Sequence, residues 1–241
     1  ESEKGHNEEH WKLFAELGWL AIPFAEEHGG LDGNDVDLSL MFEEFGKAIV
    51  VEPYLANVVL GGGILKRSDL EDKSKYIEGI ISGESQVSLA NYEPTKGFNL
   101  ANVDCEISSD GNVNGLKTTV LNAQNANYFV VFGKQEDSYA FALVSKDAEG
   151  LDCTSYKTYD GFVSGDVKFN NCKAEAVFST SNALDILEET ILDGLICVSS
   201  EAVGAMEKCY QLTIEYTKQR EQFGQPLSKF QALQHRMVDM F

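Results

Sequence analysis

Apolar positions along the chain change their period twice. Up to about Gly83 they recur at helical spacing, beginning with Trp11, Phe14 and Leu17 ahead of Gly18. Leu38, Met41, Phe42 and Phe45 then form one stripe on a helix that Asp35 or Asp37 can cap. Glu52-Pro53-Tyr54 interrupts, an apolar stretch follows from Leu55 to Leu65, and a last helix from about Asp69 carries Leu70, Tyr76, Ile77 and Ile80. From Gln86 the runs shorten and alternate. Val87–Leu89, Val103–Ile107, Val113–Val120, Tyr128–Phe132, Tyr139–Val144 and Val163–Phe169 predict about six to eight strands, with Asp110-Gly111 as a hairpin turn. Their spacing suggests a compact β-barrel or sandwich.

From Ala183 the period is helical again. Leu184, Leu187, Ile191, Leu195, Val198, Ala202, Ala205, Cys209, Leu212 and Tyr216 step by threes and fours, which predicts a long helix packed in a bundle. Tyr216 to Asp239 then reads as a helix end, a tight connection and a second helix. Gly224 suits a left-handed position just past a helix, and Pro226 cannot continue one. Ser228 with Gln231 predicts a capping box, and Phe230, Leu233, Met237 and Met240 fall on one face. The pattern divides the chain into an N-terminal all-α domain over 1–84, a central β-domain over 85–180, and the first helices of a bundle over 181–241.

Composition narrows the classes. With 43% hydrophobic and 24% charged residues in 241, the chain has an ordinary globular make-up. No apolar run approaches the ~20 residues needed to cross a bilayer. A net charge of −20 repels phosphate backbones and anionic membrane faces, so nucleic acid and membrane partners are not expected. The opening residues have no basic stretch leading into an apolar core, so no signal peptide is expected there. They include no initiator Met, which suits a trimmed chain. Cys105, Cys153, Cys172, Cys197 and Cys209 are odd in number and scattered, which predicts free buried thiols in a reducing, cytoplasmic setting.

One run is specific enough to suggest kin. Arg-x-Gln-Phe-Gly-x-Pro-Leu-x-x-Phe-Gln-x-x-Gln, from Arg220 to Gln234, resembles the C-terminal-domain signature of the acyl-CoA dehydrogenases. The order of helices, β-domain and long-helix bundle resembles that family over essentially the whole chain. The resemblance implies an α+β multidomain fold ending in the start of a four-helix bundle. Family members continue for several more helices, so a C-terminally truncated chain is expected. It also implies FAD as cofactor, an acyl-CoA thioester as substrate in fatty acid or sterol side-chain degradation, and electron transfer to an electron-transfer flavoprotein.

Site residues follow from the same resemblance. The family's first β-domain signature wraps the flavin pyrimidine and reads here Ala90-Asn91-Tyr92-Glu93-Pro94-Thr95-Lys96-Gly97-Phe98-Asn99. Leu89, Asn91 and Tyr92 inherit the flavin contact, and Phe98 stands where the family's Ser lies near the acyl-CoA. A strand end followed by a turn explains Pro94 and Gly97 equally well. The second signature reads Lys117-Thr118-Thr119-Val120-Leu121-Asn122. Lys117 and Asn122 agree, but Thr119 replaces a Trp that packs on the flavin, and Leu121 replaces a Thr that bonds near its N5. Leucine offers only its backbone N–H. In the third signature Arg220, Gln222, Phe230 and Gln231 inherit a clamp on the FAD of a neighbouring subunit. A guanidinium fork matches a diphosphate bidentately.

The catalytic base is missing from this pattern. The family's usual Glu is expected beyond Phe241, and an alternative position falls at about Gly194, which cannot serve. Asp193 faces elsewhere by about 100° of helix rotation, and Glu188 and Glu189 read as a solvated face. No catalytic residue is therefore assigned. His6 and His10 do not make a His-Glu-x-x-His zinc site, and no Gly-x-Gly-x-x-Gly is present. Two functions remain: an acyl-CoA dehydrogenase subunit in a homo- or hetero-oligomer, or a non-catalytic subunit that helps a paralogous partner bind FAD. The altered signatures resemble small subunits of pimeloyl-CoA dehydrogenase-type heteromers. A flavin monooxygenase on the same fold fits Pro226-Leu227 and Phe230-Gln231 less well.

Overall fold

In the computed structural model, which describes residues 3–241, the chain forms two units. The first takes Glu1–Asp35 and Val51–Leu195; the second takes Val36–Val50 and Ile196–Phe241.

The first unit opens with α1 (Glu8–Glu16), where the Asn7 side chain accepts from the Glu9 N–H at 2.9 Å and two glutamates lie favourably in the first turn. Its Trp11 and Phe14 are buried with Leu20 and Phe24, whereas Leu17 is exposed. Tyr54 is fixed by donation from its hydroxyl to the Trp19 carbonyl at 2.8 Å. The apolar stretch after it is a π-helical run, Leu55–Gly61, continuing into α3 (Gly62–Arg67); α4 (Lys73–Ile81) follows. Asn57, fully buried in the π-helical run, accepts the Val87 N–H at 2.7 Å and so orients the first strand.

The β region is one continuous eight-stranded sheet: β1 (Val87–Ala90), β2 (Glu106–Ile107), β3 (Asn112–Leu121), β4 (Tyr128–Gln135), β5 (Ser138–Ser145), β6 (Leu151–Lys157), β7 (Val163–Lys173) and β8 (Ala176–Phe178). The order runs β6-β7-β3-β2-β4-β5-β8, with β1 parallel to β4. Every strand contributes to one core, in which Phe129 meets Phe169 edge to face and Val113, Val131, Val144 and Val167 are fully buried. The Asp110-Gly111 turn joins β2 to β3 as its sequence predicts. Strand β6 carries no legible alternation because nearly all of it is exposed on the sheet edge.

Helix α5 (Ala183–Gln219) begins in the first unit and ends in the second. Its predicted stripe is only half right. Leu187 is buried, but Leu195, Val198, Leu212 and Tyr216 are exposed, and the covered positions are Ile186, Thr190, Gly194, Cys197 and Gly204. In the second unit α2 (Asp35–Ala48) buries Leu38, Phe42 and Phe45 and lies against α5 backbone to backbone at Gly46 and Gly204. Lys47 donates to Glu207, Glu43 and Glu44 at 2.9 Å each, which holds its ammonium above its ordinary range.

The connection after α5 differs from its prediction. Phe223 and Gly224, both with positive φ, form a two-residue turn between β9 (Glu221–Gln222) and β10 (Gln225–Pro226), so Gly224 serves a hairpin and not a helix end. Ser228 lies inside a 3₁₀ turn, Leu227–Lys229, and does not cap α6 (Gln231–Met240). Its carbonyl instead accepts from the Gln234 amide at 2.9 Å. None of the five cysteines is in a disulfide: Cys105, Cys172 and Cys197 are buried, Cys153 is half-buried and Cys209 exposed. No helix among the described residues is long and apolar enough to cross a membrane.

Candidate functional site

Strand β1 delivers the chain to Asn91, and the segment that follows is tied to β3 at several points. Tyr92 offers its carbonyl to the Thr118 N–H at 2.9 Å, and Asn91 offers its own to the Lys117 ammonium at 3.2 Å. Lys117 is fully buried and donates to Glu93 Oε1 at 2.7 Å, where the carboxylate is 4% exposed. Glu93 in turn accepts the backbone N–H groups of Asp104 at 2.6 Å and Cys105 at 2.9 Å. These bonds bring the first two sequence signatures together. Of the residues that match the family in them, Glu93, Lys117 and Asn122 are buried, whereas Pro94 and Gly97 are exposed in the turn that follows β1. Asn122, with φ 58°, donates from its amide to Gln86 at 2.6 Å and accepts from Asn125 at 2.7 Å.

The divergent positions are the accessible ones. Thr119 is exposed in a register break of the β3–β7 ladder, at φ 54°, and its N–H donates to Asp166 Oδ1 at 3.3 Å. That oxygen also accepts the Tyr156 hydroxyl at 3.0 Å. Leu121 is half-buried opposite Ser164. Tyr92 is half-buried and meets the outlying Phe98 ring edge to face at 6.3 Å between centroids, while Phe98 itself is 91% exposed. Leu89 and Asn91 are buried, and the Asn91 amide nitrogen has no hydrogen-bond partner. A buried donor left unpaired costs on the order of 1–3 kcal/mol; among the described residues Trp11, Asn57, Ser85, Ser88, Ser164 and Thr190 carry such atoms as well. Asp166 and Tyr156 were not singled out from sequence; Tyr156 lies on the strand that left no alternation.

The third signature lies in the second unit. The Arg220 carbonyl accepts the Leu227 N–H at 2.8 Å and closes the β9–β10 hairpin, while its exposed guanidinium makes no hydrogen bond or ion pair among the described residues. Gln222 pairs with Gln225 across the hairpin and is exposed, as is Gln231 at the start of α6. Phe230 is half-buried and meets the Phe223 ring edge to face at 6.2 Å.

At the alternative base position Gly194 is buried, and a Cβ there would stand 2.9 Å from Leu60 Cδ2. Asp193 is turned to Arg67, whose Nη2 donates to it at 2.7 Å, and Glu189 takes Arg67 Nε at 3.3 Å. A cleft of about 740 Å³ lined by His6, Val51, Lys157 and Thr158 contains none of the expected site residues. Burial lowers the pKa of His6, and its Nδ1 lies 3.2 Å from the Lys4 carbonyl. No group of three or more metal-ligating side chains occurs among the described residues.

Comparison with known proteins places this geometry in context. A model of the acyl-CoA dehydrogenase N-terminal domain matches residues 1–84, and one of the acyl-CoA dehydrogenase C-terminal domain matches 184–241. The probable acyl-CoA dehydrogenase YngJ of Bacillus subtilis is 30% identical over 250 residues, covering 95% of this chain and 65% of that protein. Among solved structures, a steroid ACAD variant superposes with a TM-score of 0.87 at 25% identity, over 99% of this chain and 65% of that one. A chain from the structure of the electron transferring flavoprotein of Acidaminococcus fermentans superposes with a TM-score of 0.87 at 25% identity, over 97% and 66%. The chain spans between 60% and 67% of the length of the curated relatives it matches.

Proposed function

The chain belongs to the acyl-CoA dehydrogenase family, and from that premise we propose that it is a FAD-binding subunit of an acyl-CoA dehydrogenase. The observation that carries the proposal is the orphaned Asn91 amide at the exit of β1, where Lys117 donates to the Asn91 carbonyl and the Thr118 N–H to that of Tyr92. Asn91, with the backbone of Tyr92, Thr119 and Leu121, suits the polar edge of a flavin ring. Arg220, offered to the FAD of a neighbouring subunit, suits a diphosphate, being charged at all working pH and making no bond among the described residues. FAD bound there supplies a two-electron oxidant for α,β-dehydrogenation of an acyl-CoA thioester.

The chain's own residues then bind, orient and shield. Phe98 and Tyr92 offer an apolar surface where the family carries a hydroxyl, which favours an acyl or thioester portion over a hydrogen-bonded group. An electron-transfer flavoprotein is the proposed acceptor, and another copy or a paralogous subunit the proposed partner to which Arg220 is offered.

A second reading has its own observation. Gly194 is covered by Leu60, and the neighbouring Asp193 is committed to Arg67, so neither position presents a base. This favours a subunit that helps hold FAD at an interface while the partner performs the chemistry. The visible spectrum separates the two. A flavin band at one per chain in the protein purified alone, bleached by an acyl-CoA, supports a self-sufficient dehydrogenase. Flavin acquired only on co-expression with a paralogue supports the interface subunit. A colourless protein in both preparations overturns the proposal.

A further inference from the structure

The segment between Glu93 and Asp104 leaves the sheet, passes through exposed Pro94, Thr95 and Phe98, and returns at the start of β2. Its two ends meet at one carboxylate. Glu93 is itself the first anchor, and by accepting from the Asp104 and Cys105 N–H groups it captures the returning chain. A carboxylate buried to 4% exposure must be paired, and among the described residues the cation that reaches it is Lys117 at 2.7 Å. Lys117 spends a second hydrogen bond on the Asn91 carbonyl, the residue whose side-chain amide is left unpaired. Elsewhere the loop is held only lightly: the Tyr139 hydroxyl donates to the Ala101 carbonyl at 2.9 Å, and Lys96 pairs with the largely exposed Asp104 at 2.6 Å.

We infer that the buried Lys117–Glu93 pair is a positioning device for the flavin, in that it fixes the backbone of Asn91 and both ends of the 94–103 loop. Neither side chain is accessible enough to touch a ligand. Both act through Asn91 and the loop backbone, which makes them positioning and not catalytic residues. The inference rests on the flavin reading proposed above. It goes further in assigning Glu93 and Lys117, two of the buried residues that agree with the family signatures, to preorganisation, and the exposed Thr119 and Phe98 to contact.

The test is the double variant Lys117→Met with Glu93→Gln, since removing one partner alone leaves a buried charge and endangers the fold. Three quantities are measured on the full chain and, where flavin uptake needs it, on the co-expressed complex. These are the melting temperature, the FAD dissociation constant from flavin fluorescence, and the exchange rates of the Asp104 and Cys105 amides. A folded double variant whose FAD dissociation constant rises tenfold or more, with those two amides exchanging at least tenfold faster, supports the inference. Lys117→Met alone, if it folds, should weaken FAD at least as much. A double variant with wild-type FAD affinity overturns the inference and leaves the flavin reading standing. Wild-type protein that takes up no flavin in either preparation overturns that reading, and the flavin role of the pair with it.

Discussion

Gly46 and Gly204 let two helices touch through their backbones. A Cβ on Gly46 would stand 1.9 Å from the Glu201 carbonyl oxygen, and one on Gly204 would stand 1.8 Å from that of Glu43. The obstructing atoms are main chain and cannot swing aside. Gly46→Ala and Gly204→Ala should each destabilise the second unit by about 2–3 kcal/mol in urea unfolding, although alanine favours helix. Wild-type stability in either variant would mean the helices do not cross there.

Thr119 is a β-branched residue at φ 54°, a conformation that costs on the order of 1–3 kcal/mol and suits glycine. Its cause is the register break between Lys117 and Val120, which the Asp166 carboxylate secures from below by accepting the Thr119 N–H. Thr119→Gly should raise the unfolding free energy by about 1 kcal/mol, allowing for the freer unfolded chain. A loss of stability would show that the strain is absent.

The thiols should separate by burial. Burial pushes the Cys105 thiol up to about 11, whereas Cys209 is exposed on α5. An aromatic disulfide reagent near pH 8 should label Cys209 in the native protein and reach Cys105 only on unfolding. Because the folded value lies above the ordinary 9.0, the neutral Cys105 thiol favours the fold below about pH 9, and that contribution is lost as pH rises through about 11. Cys105→Ser should flatten this alkaline limb of a stability–pH profile; an unchanged limb would count against the assignment.

Arg220→Ala should leave stability within about 0.5 kcal/mol of wild type, because the guanidinium is exposed and makes no bond among the described residues. Flavin retained after desalting, read from the visible spectrum of the oligomer, should fall. Retention equal to wild type would remove the diphosphate role.

Helices with a large apolar stripe were legible in the sequence: Trp11 and Phe14, or Leu38, Phe42 and Phe45, are buried where their spacing puts them. The covered face of α5 was not legible throughout, because Gly194 and Gly204 bury backbone and add nothing to an apolar count. Strand β6 escaped because an exposed edge needs no apolar face, and Ser228 misled because a 3₁₀ turn had already taken it. In the candidate site the motifs named segments but not which of their residues the fold encloses. The sequence marks Lys117 only as a signature match, and the fold shows it enclosed with Glu93. The orphaned Asn91 amide is visible only once every neighbouring acceptor has been placed.

The clasp at Glu93 also bears on how such a surface can diverge. Since one carboxylate gathers both ends of the loop, the largely exposed stretch 94–99 can be exchanged, lengthened or shortened more freely than the buried Val103 and the sheet that carries it. Ligand preference can then drift in that segment, with Phe98 as its most prominent residue, while fold and pairing stay under separate selection.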